Sequence, residues 1–284
     1  MMTQNPRAIV QVGPGEPASD GAGVRLTRIV GTRGLDHVDP FLLFDEFGSD
    51  RPGDYIAGFP PHPHRGFETV TYMLAGRMRH EDSVGNSGLL VPGAVQWMTA
   101  GRGIIHSEMP EQQEGLLWGY QLWVNLPSRL KMTAPRYQDI APDRIPEVVA
   151  PGRRVRVIAG TYGGVTGAAQ SLTEICYLDV EADAGSTFVL PLPDGYNVLV
   201  YVIAGAVTGN DPLGRAVAVD KGKLAILGPK GEVALPVGAE RARFLVIAGQ
   251  ALNEPIARYG PFVMNSRAEL MQAATDYQNG TFAQ

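Results

Sequence analysis

Short apolar segments, most of them bounded by Gly, Pro, Asn or Asp, recur along the whole chain. Their fairly even spacing is typical of β-sandwiches and β-barrels. The predicted strands are Val24–Ile29, Thr69–Leu74, Leu116–Leu126, Val155–Ile158, Ile175–Val180, Val198–Ile203, Lys223–Leu227 and Arg243–Ile247. The pattern therefore predicts an all-β protein.

One helix is predicted, after residue 266. Ser266 and Glu269 form the S-x-x-E pattern of a capping box, in which each side chain bonds a free backbone N–H of the first turn. Gly280 is placed to end the helix. The apolar positions of one helical face are Leu270, Ala273, Ala274 and Tyr277.

At about 150 residues per domain, the 284 residues indicate either two domains or one large all-β domain. Tyr72-Met-Leu-Ala-Gly76 in the first half is echoed by Tyr201-Val-Ile-Ala-Gly205 in the second. The proline-rich stretch Ala134–Arg153 is interpreted as the linker. We therefore predict one domain over residues 1–140 and another over residues 141–284 with the terminal helix.

Charge and composition exclude several functional classes. The net charge is −5 and no basic run is present, so direct nucleic-acid binding is not expected. Val198–Val207, the longest apolar stretch, is about half the length of a membrane span, and no secretion signal is recognised. Cys176, the single cysteine, is expected to be a buried thiol. A cytoplasmic protein with no membrane association is expected.

All five histidines lie between residues 37 and 106. His62-Pro-His64 and His106-Ser-Glu108 each place two ligand-type side chains two residues apart, so on a strand each pair shares one face. Antiparallel pairing of two such strands would bring three imidazoles and a carboxylate together. This donor set suits Fe, Mn, Co, Ni, Cu or Zn but not Ca. On a six-coordinate ion it leaves two positions for water, substrate or O2.

Other polar residues near this pattern have weaker implications. His37, in a polar turn, and His80, among charged residues, are interpreted as ordinary hydrogen-bonded residues. Arg65 is a candidate for holding a substrate anion, with packing or an ion pair as the alternative. Gln121 is interpreted either as a pocket residue or as polar filler in the core.

The chain resembles the pirin family of the cupin superfamily in several motifs. They are Asp39-Pro-Phe-Leu-Leu-Phe-Asp-Glu-Phe47, His62-Pro-His-Arg-Gly-Phe-Glu-Thr-Val-Thr-Tyr72, Gln96-Trp-Met-Thr-Ala-Gly-Arg-Gly-Ile-Ile-His-Ser-Glu-Met-Pro110, Gln121-Leu-Trp-Val-Asn-Leu-Pro127, Pro135-Arg-Tyr-Gln-Asp139 and Tyr259-Gly-Pro-Phe-Val-Met-Asn265. The resemblance implies two consecutive cupin β-barrels, with a mononuclear iron in the first barrel only.

The resemblance also bears on the carboxylate ligand. In many cupins it is the glutamate of the first motif, here Glu68, and in pirins it is the glutamate of the second motif, here Glu108. Glu68 lies four residues beyond His64, about 13 Å along a straight strand, whereas Glu108 is one pleat repeat from His106. We therefore predict the ligand set His62, His64, His106 and Glu108. Glu68 is interpreted as a residue that orients a ligand or pairs with an arginine.

The function implied is a dioxygenase that acts on flavonols such as quercetin. One Fe2+ per chain is expected, with Mn, Ni, Co or Zn as alternatives, and Glu108 is the expected general base. The substrates would be an aromatic flavonol and O2. The alternative is a non-enzymatic regulator that senses redox state or metal and binds a partner protein. Residues after about 150 contain no histidine, so a barrel without a transition metal is expected there.

Overall fold

The computed structural model describes residues 5–283. The first thirteen strands are β1 Ile9–Pro14, β2 Glu16–Asp20, β3 Val24–Val30, β4 Phe41–Ser49, β5 Phe59–His64, β6 Phe67–Ala75, β7 Met78–Asp82, β8 Ser87–Leu90, β9 Val95–Thr99, β10 Ile104–Pro110, β11 Leu117–Asn125, β12 Arg136–Ile140 and β13 Glu147–Ala150. The remaining strands are β14 Arg153–Ala159, β15 Thr161–Tyr162, β16 Val165–Thr166, β17 Ile175–Ala182, β18 Thr187–Leu190, β19 Tyr196–Ala204, β20 Ala206–Asn210, β21 Ala216–Asp220, β22 Lys223–Leu227, β23 Val233–Pro236, β24 Ala242–Gln250, β25 Ala257–Tyr259 and β26 Phe262–Met264. Residues 5–283 also contain three 3-10 turns, at Pro52–Asp54, Ser128–Leu130 and Pro142–Arg144. The prediction of an all-β protein is confirmed.

The first compact unit, here termed the N-barrel, comprises residues 16–143, 171–173 and 252–283. Its large sheet has seven antiparallel strands in the order β12-β9-β6-β11-β4-β3-β2. Its second sheet has four antiparallel strands in the order β5-β10-β7-β8. The second sheet carries all the predicted metal ligands.

The second compact unit, here termed the C-barrel, comprises residues 5–15, 144–170 and 174–251. Its large sheet also has seven strands, in the order β1-β22-β19-β24-β17-β14-β13. Its core is a cluster of buried apolar side chains, mostly valines, leucines, phenylalanines and alanines, that extends along the chain from Ile9 to Ala248. Cys176 lies in this core, and burial raises the pKa of its thiol to about 12, so it is a protonated apolar side chain.

The C-barrel includes the first strand of the chain and the N-barrel includes its last segment, whereas the sequence predicted a single boundary after residue 140. The strand β1, at the start of the chain, pairs with β22, so Ile9 lies opposite Leu227 in the C-barrel. Residues 252–283, with the helix, belong to the N-barrel instead of the predicted 141–284 domain. Local sequence carries no signal for such pairing, because it depends on partners more than 200 residues away.

The repeated pentapeptide occupies equivalent positions in the two sheets. Tyr72–Gly76 runs along β6 and Tyr201–Gly205 along β19, each an interior strand of a seven-stranded sheet. Gly76 and Gly205 have φ of 77° and 68°, in the left-handed region that favours glycine. A β-carbon at either would also lie within 2.8 Å of a backbone oxygen. The motif therefore marks the same turn in each unit.

The predicted helix α1 spans Arg267–Gln278, and its N-cap is Ser266. The Ser266 hydroxyl accepts a hydrogen bond from the Glu269 backbone N–H at 3.3 Å, as the capping box predicts. Leu270 and Ala273 are buried against Phe262 of β26 and its neighbours. No helix among residues 5–283 is both long and apolar enough to cross a membrane.

Candidate metal centre

Three histidines converge inside the N-barrel because β5 pairs antiparallel with β10. In this register His106 lies opposite His62, and Ile104 lies opposite His64. The ring centroid of His62 is 4.4 Å from that of His106 and 4.7 Å from that of His64. One nitrogen from each ring lies within 4.8 Å of the other two. The two sequence motifs therefore form one cluster.

The nitrogens of this cluster fit a transition-metal ion. Nε2 of His62 and Nε2 of His64 are 3.0 Å apart, which matches two ligands about 2.1 Å from one ion at a right angle. Nδ1 of His62 donates to the Pro60 carbonyl at 2.8 Å, which leaves the Nε2 lone pair free. Nε2 of His106 is buried and has no hydrogen-bond partner. A soft-to-borderline divalent ion would satisfy these three nitrogens together.

Burial keeps two of these imidazoles in the neutral form that binds metals. Burial, and then the charge of His62, lowers the pKa of His64 well below the usual imidazole value. Burial also lowers the pKa of His106, and His64 and His62 add to the effect. Burial therefore favours the neutral form of both rings, which is the form in which an imidazole binds a metal ion.

Glu108, the predicted fourth ligand, lies one pleat repeat from His106 and is 1% exposed. It is outside the 4.8 Å cluster of the three histidines. Its Oε1 accepts from the Thr71 hydroxyl at 2.6 Å and its Oε2 from the Gln121 amide at 2.7 Å. The carboxylate is therefore held on both oxygens by the large sheet.

The residues that hold Glu108 belong to a row of polar side chains that crosses the large sheet. Directly opposed residues on six successive strands form this row, which consists of Arg28, Asp45, Gln121, Thr71, Gln96 and Asp139. Gln121 lines a cavity, as one of its two sequence interpretations proposed. Its Oε1 accepts from the Trp123 indole N–H at 3.2 Å, and this contact directs its NH2 group toward Glu108.

The cavity of about 570 Å³ opens onto the histidine cluster. Its apolar lining includes Leu43, Phe47, Phe59 and Trp123, and its polar lining includes His62, His64 and Gln121. The lining also includes Arg28 and Asp45, which are joined by hydrogen bonds of 3.0 and 2.8 Å, and Arg258, which stacks on Trp123 at 5.1 Å. Its size and mixed lining are those of a small-molecule site.

His80 is a member of the site that the sequence interpretation set aside. It is fully buried, and its Nδ1 lies 3.3 Å from Nδ1 of His106. Strand alternation in Met78–Asp82 could have revealed it, because Met78 and His80 face inward whereas Arg79 and Glu81 do not. His37, in contrast, is an exposed residue that bonds Asp36.

Two other residues have roles away from the histidines. Glu68 is fully buried and accepts hydrogen bonds from the hydroxyls of Thr99 at 2.7 Å and Ser171 at 2.5 Å. Its hydrogen-bond partners in the described chain include neither an arginine nor a metal-site histidine, so neither sequence interpretation was correct.

Arg65 points to α1 rather than to the cavity. Its Nη1 donates to Asp276 at 2.6 Å, and its guanidinium stacks on Phe282 at 4.4 Å. The ion-pair alternative is therefore correct, and Arg65 fastens the C-terminal segment to the N-barrel.

Comparison with known proteins gives matches over nearly the whole chain. The pirin family model matches residues 23–124, and the model of the pirin C-terminal cupin domain matches residues 177–283. A Pseudomonas aeruginosa protein, named provisionally as a quercetin 2,3-dioxygenase, is 52% identical over 98% of both chains. Human pirin is 44% identical over 92% of this chain and 89% of its own length.

The fold also matches solved structures. A crystal structure of quercetin 2,3-dioxygenase from Acinetobacter baumannii superposes with a TM-score of 0.88 at 38% identity, covering 98% of this chain and 99% of that one. The two cupin barrels expected from the motifs are thereby confirmed. On the sequence identities, the matched domains and this superposition, the chain belongs to the pirin family.

Proposed function

We propose that this chain is a metal-dependent dioxygenase that opens the central ring of flavonols such as quercetin. The observation that carries the proposal is the convergence of three histidine nitrogens beside a cavity with a mixed apolar and polar lining, with Glu108 one pleat repeat away. The names of the Pseudomonas aeruginosa relative and of the Acinetobacter baumannii structure agree with this activity. One Fe2+ per chain is the proposed cofactor, with Mn, Ni, Co or Zn as alternatives.

The proposed ligands are His62, His64, His106 and Glu108. The ion, when bound, supplies Lewis acidity toward the flavonol 3-hydroxyl and redox chemistry toward O2. Each Glu108 oxygen has a second lone pair beyond the one used by Thr71 or Gln121, so the carboxylate can serve as a ligand without losing either donor.

The protein side chains bind the flavonol and move one proton. Phe47, Phe59 and Trp123 offer an apolar surface to its planar rings and exclude water from the cavity. Glu108 accepts the proton of the 3-hydroxyl, which makes the flavonol electron-rich enough to react with O2. One flavonol and one O2 then give one ring-opened ester and one carbon monoxide, and the proton returns to the product.

Oxygen uptake and carbon monoxide release test this proposal. Metal-free protein is loaded with Fe2+, Mn2+ or Ni2+ without air, mixed with quercetin, and then exposed to O2. We expect Glu108→Gln to lose turnover by about 10²- to 10⁴-fold, the usual contribution of a general base. Glu111→Gln is the matched control, because Glu111 follows the same strand but pairs with Arg79 at the surface.

Metal analysis accompanies the assay. His64→Ala and His106→Ala should each remove the metal while the barrel stays folded, since a core of this size does not depend on the ion. If no metal form consumes oxygen or releases carbon monoxide, the dioxygenase proposal is refuted. Metal binding without turnover is the outcome expected of the regulator alternative.

A further inference from the structure

His80 lies on the far side of β10 from the β5 histidines. In the order β5-β10-β7, His80 of β7 is opposite Glu108, and Asp82 is opposite His106. Its side chain is fully buried, and its ring stacks on Tyr137 with centroids 4.8 Å apart and an interplanar angle of 23°. It lies outside the cluster of three ligand nitrogens, so it affects a bound ion only through His106.

The contact between His80 and His106 joins two identical atoms. Nδ1 of His80 and Nδ1 of His106 are 3.3 Å apart, so one must carry the hydrogen and the other must accept it. Nε2 of His106 and Nε2 of His80 both lack a hydrogen-bond partner, and the His106 nitrogen must be free of hydrogen to bind a metal. Nδ1 of His106 is then the donor, and Nδ1 of His80 is the acceptor.

A fixed carboxylate on the other side of His80 favours the same arrangement. With Nδ1 as an acceptor, His80 carries its hydrogen on Nε2, which lies 3.6 Å from Oδ2 of Asp82. Both side chains are fully shielded from solvent. Asp82 is itself held by the backbone N–H groups of Val84, at 3.0 Å, and Asn86, at 2.9 Å. Its negative charge therefore favours an N–H on the facing nitrogen of His80.

We propose that His80 is a positioning residue that holds His106 in the tautomer competent for metal binding. The inference rests on the metal site of the proposed function, but it does not require dioxygenase activity. Without an acceptor at position 80, the buried Nδ1–H of His106 has no partner. The hydrogen then moves to Nε2 in part of the molecules, and that nitrogen can no longer bind the ion.

Two substitutions distinguish the effect of the hydrogen-bond acceptor of His80 from the effect of its ring. His80→Phe keeps a flat ring against Tyr137 but has no acceptor, whereas His80→Asn places its amide oxygen close to the position of Nδ1. We expect zinc to bind His80→Phe about 10- to 100-fold more weakly than the parent protein, the usual effect of removing the partner of a ligating histidine. His80→Asn should stay within about threefold of the parent. His37→Phe, at an exposed position, should leave the dissociation constant unchanged.

The binding titrations give distinct outcomes. Equal zinc affinity in the parent and His80→Phe would overturn the inference, and so would an equal loss in His80→Asn and His80→Phe, because the ring rather than the acceptor would then matter. A protein that binds zinc in the expected order but never consumes oxygen with flavonols would keep the inference and refute the proposed function. A parent protein that binds no metal would overturn both.

A second measurement needs no substitution, in case His80→Phe fails to fold. The five histidines of the zinc-loaded protein can be labelled with ¹⁵N and their tautomers assigned from two-bond proton–nitrogen correlations. We expect His80 to carry hydrogen on Nε2 alone and His106 to carry it on Nδ1 alone. Hydrogen on Nδ1 of His80 would contradict the inference directly.

Discussion

The Thr71 hydroxyl is a contact whose removal tests how Glu108 is held. Thr71 is 1% exposed and donates to Oε1 of Glu108 at 2.6 Å, and Gln121 donates to the other oxygen. Thr71→Val keeps the shape of the side chain but removes the donor. Oε1 of Glu108 is then left in a buried position with no partner other than a metal.

The size of the effect follows from this geometry. A hydrogen bond to a charged group contributes about 1.5–3 kcal/mol, and the methyl group that replaces the hydroxyl recovers about 0.8 kcal/mol by its burial. The net loss is about 1–2 kcal/mol, which is about 5- to 30-fold in the ratio of folded to unfolded protein. For a unit of this size the melting temperature should fall by about 2–8 °C.

Thr99→Val is the matched control. Thr99 is also fully buried in the large sheet, and its hydroxyl donates to Glu68 at 2.7 Å. Glu68 keeps the Ser171 hydroxyl at 2.5 Å and the Leu172 N–H at 3.4 Å, so the loss should be at or below the lower end of the same range. The two variants thus make the same chemical change beside two different carboxylates.

Calorimetry of the metal-free variants and flavonol turnover of the loaded ones distinguish the two positions. Thr71→Val should lower both the melting temperature and the turnover, the turnover by at least about tenfold, because the base is no longer held in place. Thr99→Val should lower the melting temperature and keep turnover within about twofold. An equal loss of turnover in both variants, or no effect of Thr71→Val on either quantity, would refute this account of Glu108.

Three further substitutions test other parts of the N-barrel. Burial raises the pKa of Glu68, so as pH rises above the usual glutamate pKa the unfolded chain loses this proton before the folded chain does. Between the two pKa values the free energy of unfolding therefore falls by up to about 1.4 kcal/mol per pH unit. Glu68→Gln should flatten the melting temperature against pH in this range, and curves of equal slope for the parent and the variant would contradict the reasoning. Gly66→Ala should lower the free energy of unfolding by at least about 2 kcal/mol, measured by urea unfolding. The reason is that φ of Gly66 is 91° and the new β-carbon would lie 1.9 Å from the Val263 carbonyl oxygen. Unchanged stability would show that β26 can move away from this position. Ser266→Ala removes the acceptor for the Glu269 N–H and should lower the stability of α1 by about 1 kcal/mol. Faster proteolysis within α1 would detect this loss. An unchanged rate would mean that packing alone holds the helix.

The sequence predicts the elements of this fold better than their partners. Alternation and turn residues locate the strands because both signals lie within a few positions. The capping box locates α1 for the same reason. The pairing of Ile9 with Leu227 has no local signal, so the exchange of ends between the two units could not be predicted from periodicity.

The same distinction between local signals and long-range pairing holds for the candidate site. His62, His64 and His106 are recognisable as candidate ligands because each motif places two ligand-type side chains on one strand face. The role of His80 depends instead on the pairing of β7 with β10, which brings it to His106 from 26 residues away. Its charged neighbours led to its interpretation as an ordinary hydrogen-bonded residue, although Arg79 and Glu81 point away from the face that His80 occupies.

The interiors of the two units differ in how many polar side chains they bury, and this contrast bears on function. The C-barrel core is an apolar cluster, which contains few polar groups that would need a partner to offset lost hydration. The N-barrel instead buries Glu108 with Thr71, Gln121 and His80 nearby, and each of these polar groups needs a partner to offset its lost hydration. Sequences depart from the apolar solution mainly where a site requires it. We therefore interpret the polar row that crosses the large sheet as the support of the buried Glu108 carboxylate, which is the general base of the proposed function.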